Sequence, residues 1–467
     1  MMRLCLLLVF VLPLCLANAA RGGEAITERF QASPGVERGQ EVLPGLQNKG
    51  LIAEFLDPGD TGLGKSLGYL IWREVLTAIS DQAGAGVVLA HPPGDKRIVD
   101  LLETNYHLAA ADIARNQKCP MLLWGAVWEQ GNRIYVHTYI TLLPEIRGSN
   151  LLVRLRPIDG LEADGLEAEI PRTRYNFALV ETSREVLFKR TLVTRKVAVL
   201  RQSPNRAAPI VARLPVDKAL SAVDMQAGWF EVKTGDGATA YIEHDSVAVP
   251  PAMVKASGEK VTVRSGPGKN FPAAGSRVLD GSYRVLDMRY RPQQGLWYCL
   301  DIEGRPAWVA GWLVQPLFSL PAIHFMAGLY RYRAQNYNAA ANEFTQFLNA
   351  AAPEENVNRA TAYQLRGASY LFSRNKGAGL YDFQKAVELT PYDPFAYNLL
   401  ALAKIDRLYL YPAVLDLQKS LSLDQQNERT VNLIKVFYEG YRQGKIREYS
   451  IRDRDSRVEV LLNELIR

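Results

Sequence analysis

From Pro321 onward, small and aromatic residues recur with a period of about 34 residues. Gly328, Ala340 and Phe344 set the spacing, Gly367, Tyr370, Phe383, Ala386 and Pro391 keep it, and Ala401, Ala413 and Leu417 repeat it. Pro394 stands one period after Ala360. No other feature of the chain restricts its fold as much. A fixed period of this length requires one supersecondary unit stacked on copies of itself, because one unit cannot bury its apolar face alone. Small residues then mark where two helices cross closely, and the aromatic fills the gap between units. About three units are the minimum for a stable stack. A short insertion at 355–359 separates the first two, and a helix expected over 428–441 covers the last apolar face. A charged amphipathic helix is expected over 452–467 as a solvating cap.

This spacing resembles the tetratricopeptide repeat, over residues 321–441, with 442–467 as a C-terminal capping helix. The resemblance implies an α-helical solenoid whose concave face, lined by the first helix of each unit, takes extended peptides or helices. Tyr332, Gln364 and Asn398 are the candidate contacts there; the alternative for each is an ordinary solvated helix surface.

Upstream of the helices the pattern changes to period two. Val261 and Val263 alternate with polar neighbours, and short apolar runs are cut by Gly-Pro, Asp-Gly and Glu-Gly, which argues for a small antiparallel β-barrel. The stretch opens with Val263-Arg264-Ser265-Gly266-Pro267-Gly268 and closes with Trp297-Tyr298 and 307–313, AWVAGWL. In that order it resembles the bacterial SH3-type domain of exported proteins, at 255–317. A second, degenerate copy is expected at 191–250. Lys196-Val-Ala-Val matches Lys260-Val-Thr-Val, Gly228-Trp229-Phe230 matches Gly295 to Tyr298 with one residue gained, and Ala240-Tyr241-Ile242 matches Ala307-Trp308-Val309. His244-Asp245-Ser246 replaces Ala310-Gly311-Trp312.

The SH3-type resemblance implies a shallow groove for peptides, often those of the cell wall. Trp308 and Trp312, four apart around a glycine, cannot both be core residues of one alternating strand, so at least one is expected at the surface. Trp308, Trp312 and Tyr298 are the groove candidates; Trp229 and Trp297, which open strands, are expected in the cores. The alternative is a spacer whose aromatics pack on a neighbouring domain.

The amino-terminal part alternates strands and helices over 45–190. A strand at 51–56 runs into Gly59-Asp-Thr-Gly-Leu-Gly64-Lys65-Ser66 and then a helix at 67–79, which satisfies the phosphate-loop pattern. Nucleotide hydrolysis also needs a carboxylate at the end of a later apolar strand to hold magnesium. Neither Val87-Val-Leu-Ala-His91 nor Met121-Leu-Leu-Trp-Gly125 ends in one. Gly59, Gly64, Lys65 and Ser66 are therefore read as a glycine-rich turn capping a helix, with nucleotide binding as the less favoured alternative. A hairpin over 126–143 turns at Gly131-Asn132, and its Ile134, Val136, Thr138 and Ile140 form one packed face, which turns His137 outward. This order resembles the α/β domain at the amino end of TolB-type envelope proteins, which implies partner binding without catalysis. An extended run is expected over 175–189. Whether 151–190 completes this domain or links it to the next stays open. The acidic cluster Glu162, Asp164, Glu167 and Glu169 is read as a solvated loop, because no His or Lys base accompanies it.

Arg3, an apolar run at 4–16 and Ala17-Asn18-Ala19 form an expected secretory signal peptide, 1–19. Leu14 before Cys15 does not suit a lipobox. No later run is apolar enough to cross a membrane, so an exported, periplasmic protein is expected. Cleavage would leave Cys119 and Cys299, read as two small buried residues, with a disulfide between domains as the alternative. A net charge of +6 spread over 467 residues, with no basic run, argues against nucleic acid. There is no metal-ligand spacing and no nucleophile–base pair, so no catalytic residue, cofactor or metal is expected. The fold class expected is multidomain: an α/β domain, two small SH3-like β-barrels and an α-helical solenoid. The function expected is an envelope scaffold or adaptor whose partners are envelope proteins or extended peptides. Peptidoglycan binding through the second β module is the alternative.

Overall fold

The computed structural model describes residues 31–32, 48–79, 85–91, 106–146, 151–155, 166–235, 237–291, 294–446 and 456–466. The expected signal peptide, with Glu162 and Asp164, lies outside the described residues. The described residues form two compact units, one within Met1–Leu143 and Ala178–Met326, the other within Pro144–Phe177 and Ala327–Arg467. The protein combines mixed β-sheets with a helical C-terminal region.

In the first unit, β1 (Gln31–Ala32), β2 (Asn48–Ala53), α1 (Leu63–Ala78), β3 (Ala85–His91), α2 (Tyr106–Asn116), β4 (Met121–Gln130) and β5 (Arg133–Leu142) come first. Their sheet runs β1-β3-β2-β4-β5, with β2 parallel to both neighbours and β4–β5 an antiparallel hairpin turning at Gly131-Asn132. Leu51, Ile52 and Ala53 are all buried, the continuous apolar run of a parallel strand covered on both faces. In β5, Ile134, Val136, Thr138 and Ile140 are buried, while Tyr135, His137 and Tyr139 between them are half-buried. Trp72 ties α1 to the sheet by donating from Nε1 to the Val87 carbonyl at 2.9 Å.

The chain leaves this unit for β6 (Leu151–Arg154), β7 (Glu167–Ile170) and β8 (Arg174–Asn176), and returns at β9 (Val180–Thr182), which pairs with β5. The extended run expected over 175–189 is therefore interrupted. It ends in a short helix, α3 (Arg184–Phe188), because the Ser183 hydroxyl accepts the Val186 N–H at 3.3 Å.

Two β modules follow. The first contains β10 (Thr191–Thr194), β11 (Ala198–Arg201), β12 (Ile210–Leu214), β13 (Ala219–Gln226), β14 (Trp229–Lys233), β15 (Thr239–Glu243) and β16 (Val247–Ala248), ordered β12-β11-β15-β14-β13-β10-β16. The second contains β17 (Met253–Arg264), β18 (Ala273–Arg291), β19 (Gly295–Ile302), β20 (Arg305–Ala310) and β21 (Val314–Pro316). Its order is β18-β19-β20-β17-β21, and β18 also pairs with β17, so the sheet curls back on itself around Val254, Val261, Leu279, Val285, Leu300 and Val309. A 3-10 turn follows a strand in each module, His244–Ser246 after β15 and Gly311–Leu313 after β20. The two modules are locked by charge: Arg195 Nη2 donates to Asp287 Oδ1 at 2.5 Å and to the Met288 carbonyl at 2.6 Å, and Arg289 pairs with both Asp217 and Asp287.

The second unit is built from α4 (Pro321–Arg333, whose residues from Ala327 belong to it), α5 (Tyr337–Ala350), α6 (Asn356–Phe372), α7 (Lys376–Leu389), α8 (Pro394–Asp406), α9 (Leu410–Leu423), α10 (Glu428–Arg442) and α11 (Ser456–Ile466). Three helix pairs recur. A Cβ on Gly328 would sit 2.6 Å from Phe344, and one on Gly367 would sit 3.2 Å from Phe383, so each glycine admits the aromatic of the second helix. Ala401, Ala413 and Leu417 fill the third crossing and are fully buried. The first helix of each pair stops two residues before a left-handed residue, Gln335 (φ 59°), Arg374 (φ 69°) and Leu408 (φ 62°), and α10 stops the same way at Gly444 (φ 66°). Side-chain caps start α7 at Asn375, α8 at Asp393 and α10 at Asn427.

Of residues 151–190, expected to complete the amino-terminal domain or to link it to the next, the described ones up to Phe177 cluster with these helices and those from Ala178 with the first unit. The antiparallel pair β6–β7 turns Leu151, Val153, Ala168 and Ile170 to a buried face, and β7 packs along α8 and α10. Glu167 and Glu169, expected in a solvated loop, stand on β7 as ion-pair partners.

Candidate functional site

The phosphate-loop look-alike is filled from within. Asp57 is buried, and its Oδ2 accepts the N–H groups of Thr61 and Leu63 at 3.0 Å, that of Gly64 at 3.4 Å and the Thr61 hydroxyl at 3.0 Å. A carboxylate thus takes the amides that would cradle a phosphate. Ser66 is buried too: its Oγ lies 3.0 Å from the Gly62 carbonyl and 3.1 Å from that of Met225, and accepts the Ala227 N–H at 3.1 Å. The loop therefore splices α1 to the first β module. Tyr69 and Trp72 hold His244 between them at 4.7 and 5.4 Å, and Arg73 donates to the Val247 carbonyl at 2.8 Å. Gly59 is exposed and Lys65 half-buried.

In the second β module the structure separates the groove candidates. Tyr298 belongs to the core with Leu300 and Ile302, so it is withdrawn from any groove. Trp297, on the other face of β19, is buried and meets Trp312 edge-on at 5.9 Å. Trp312 is the outward one, 50% exposed, with Lys269 Nζ 5.6 Å from its ring. Trp308 is half-buried opposite Cys299. The rim beside Trp312 is wired: Lys269 N–H donates to Gln294 Oε1 at 2.6 Å, Arg291 Nε to the Pro267 carbonyl at 2.8 Å, and Arg264 Nη1 to that of Phe271 at 2.7 Å. Gly266 is required there, because a Cβ would stand 2.1 Å from the Phe271 ring. What remains is a fixed aromatic platform with cations at its edge.

The three concave-face candidates are all engaged within their own unit. Tyr332 donates its hydroxyl to the Leu152 carbonyl at 3.2 Å, and burial pushes that hydroxyl's pKa up, which keeps it a donor. Gln364 donates to Asp393 at 3.4 Å. Asn398 is buried and donates to Thr430 Oγ1 at 2.9 Å, bridging α8 to α10. None of the three is a solvated surface residue.

A feature not legible beforehand is the ion pair of Glu74 with Arg190, 3.3 Å, where α1, the first β module and the linker to the second meet. It borders a cleft of about 430 Å³ lined also by Thr191, Met253, Arg284 and Phe318. Burial pushes the Glu74 carboxyl up and the Arg190 guanidinium down, each opposed by the other's charge. Cys119 and Cys299 are both free and buried, and burial lifts each thiol to about 12, so neither is a nucleophile at neutral pH. Among the described residues no group of His, Cys, Asp and Glu could hold a metal, and no helix is long and apolar enough to cross a membrane.

No family model matches the chain, and no curated protein does either. Among solved structures it is similar to the TPR domain of OM64 from Arabidopsis, at 22% identity over 25% of this chain and 93% of that one, with a TM-score of 0.22. It is also similar to NlpC2 of Trichomonas vaginalis, at 14% identity over 32% of this chain and 55% of that one, TM-score 0.16. NlpC1 of the same organism gives 14% identity over 33% and 54%, TM-score 0.15. The chain spans about half the length of each NlpC protein.

Proposed function

We propose that the chain is a non-enzymatic adaptor of the cell envelope, exported and periplasmic, that joins partner proteins through its helical repeats and β modules. In this reading α4–α10 are a tetratricopeptide array, the two β modules are SH3-like barrels, and the amino-terminal part is a partner-binding domain of the TolB type. The observation that carries the reading is the thrice-repeated helix pair with a small residue of the first helix against a large one of the second. Its support is architectural: charged locks between the β modules and the α1 splice make the first unit a stiff carrier. No nucleotide, metal or cofactor is part of it. Immobilised full-length chain is expected to retain the same specific envelope proteins as its Lys65→Ala variant. Retention of no specific protein, or loss on Lys65→Ala, overturns the adaptor reading.

A second reading, peptidoglycan binding through the second β module, is favoured by the exposure of Trp312 beside Lys269. Trp312→Ala is then expected to lower co-sedimentation with purified peptidoglycan about tenfold, the scale of an aromatic anchor. Unchanged sedimentation removes this reading.

A further inference from the structure

The helical unit holds a ligand-like segment of its own. Residues 151–155 and 166–177 come from outside the repeat, and they reach it from about 180 positions away in sequence: 180 for the bond from Tyr332 to the Leu152 carbonyl, and 182 for the bond from Asn358 to the Asn176 carbonyl at 2.6 Å. Both of these bonds read backbone rather than side chain, as in recognition of an extended peptide. Specificity comes from an alternating strand. Ala168 and Ile170 point inward and are buried, while the alternating Glu167 and Glu169 meet Arg429 of α10 at 3.3 and 3.1 Å, Glu167 also pairing with Arg154 of β6 at 2.8 Å. Phe177 adds an edge-on contact with Phe347 at 5.8 Å.

The fit is incomplete. Beside Ile170, Pro171 and Arg172 a cleft of about 240 Å³ remains, walled by α6 residues Val357, Thr361 and Gln364 and by Asp393. The Asn398 Oδ1 atom on α8 is buried without a hydrogen-bond partner. Arg429 itself is 48% exposed, so its two ion pairs are of the weakly held surface kind.

We infer that the face formed by α6, α8 and α10 is a binding site for an extended strand of alternating apolar and acidic residues, which residues 166–177, paired with β6, occupy in cis and a partner strand of that chemistry takes when they are displaced. This rests on the adaptor reading and names its partner class. The consequence is gating. The intact chain is closed to such partners, and whatever pulls the hairpin away opens it.

The probe is a fluorescent peptide of sequence 166–177, LEAEIPRTRYNF, added to the full-length chain. With Val153→Asp and Ile170→Asp together, charges on the buried face expel the hairpin, and the peptide is expected to bind at least about tenfold more tightly than to the unaltered chain. Reversing both glutamates of the peptide to lysine should weaken that binding about fivefold, the scale of exposed ion pairs. Equal binding to both proteins, or none to the variant with its helices intact, overturns the site. Should the double variant not fold, Arg429→Glu in the otherwise unaltered chain decides. Amide exchange at 166–170 should rise about threefold with α8 unchanged; a rise shared by α8 makes the hairpin inseparable from the array and overturns the inference. Peptide failure with envelope partners still retained removes this site alone. Partner loss with peptide binding intact removes the adaptor reading alone.

Discussion

Asp382→Ala is expected to destabilise the helical unit by about 3–5 kcal/mol, the cost of leaving one charge of a buried pair without its partner. Asp382 is 1% exposed and takes Arg366 in a fork, Nε to Oδ2 at 2.7 Å and Nη2 to Oδ1 at 2.8 Å. Arg366 also donates to Thr345 at 3.0 Å and lies between the rings of Tyr363 and Tyr370, at 5.2 and 5.8 Å. One side chain thus joins α5, α6 and α7. Burial pushes the Asp382 carboxyl up by more than the Arg366 guanidinium pulls it down, so desolvation offsets much of what the attraction contributes. Removing both charges should then cost far less than removing one. In urea unfolding followed by helical circular dichroism, Asp382→Leu with Arg366→Met is expected within about 1.5 kcal/mol of the unaltered chain. A loss under about 1 kcal/mol for Asp382→Ala alone would show that Arg366 finds water, and that the fork does not hold the pair together.

The helical period was legible because each small residue answers a large one at a fixed distance along the chain, and Gly328 with Phe344 or Gly367 with Phe383 needs only local geometry. Strand phase was less legible. Trp297, Tyr298, Cys299 and Leu300 are all apolar or aromatic and all buried, so period two cannot say which pair faces the core. The core takes Tyr298 and Leu300, and Trp312 covers the other side at Trp297. The surroundings of the three helix residues read as contacts were not legible. Tyr332 and Asn398 meet residues of the same unit, and nothing local in Leu151 to Arg154 announces a contact so distant in sequence. Glu167 and Glu169 read as loop for the same reason. The strand is four residues long and its only large apolar member is Ile170.

Gly64→Ala is expected to destabilise the packing of α1 on the amino-terminal sheet strongly. A Cβ there would lie 2.1 Å from the Phe55 carbonyl oxygen and 3.0 Å from Asp57 Cβ. The obstacle is backbone, not a side chain that can swing away, and the same two residues are bonded through the Phe55 N–H and the Gly64 carbonyl at 3.3 Å. Relief requires α1 to back away from β2. That would also pull Ser66 from Met225 and Ala227 and slacken the splice to the first β module. A loss of about 3 kcal/mol or more follows for overpacking against rigid backbone, read as a fall in the thermal midpoint of the full chain. Gly59→Ala is the control. Gly59 is exposed, and its Cβ would meet side chains alone, the Thr61 methyl at 3.2 Å and Asp57 Oδ1 at an ordinary 3.7 Å. A loop shaped to bind phosphate would show both glycines by their effect on ligand affinity and little by stability. A loop already filled by Asp57 shows Gly64 alone, and shows it as stability.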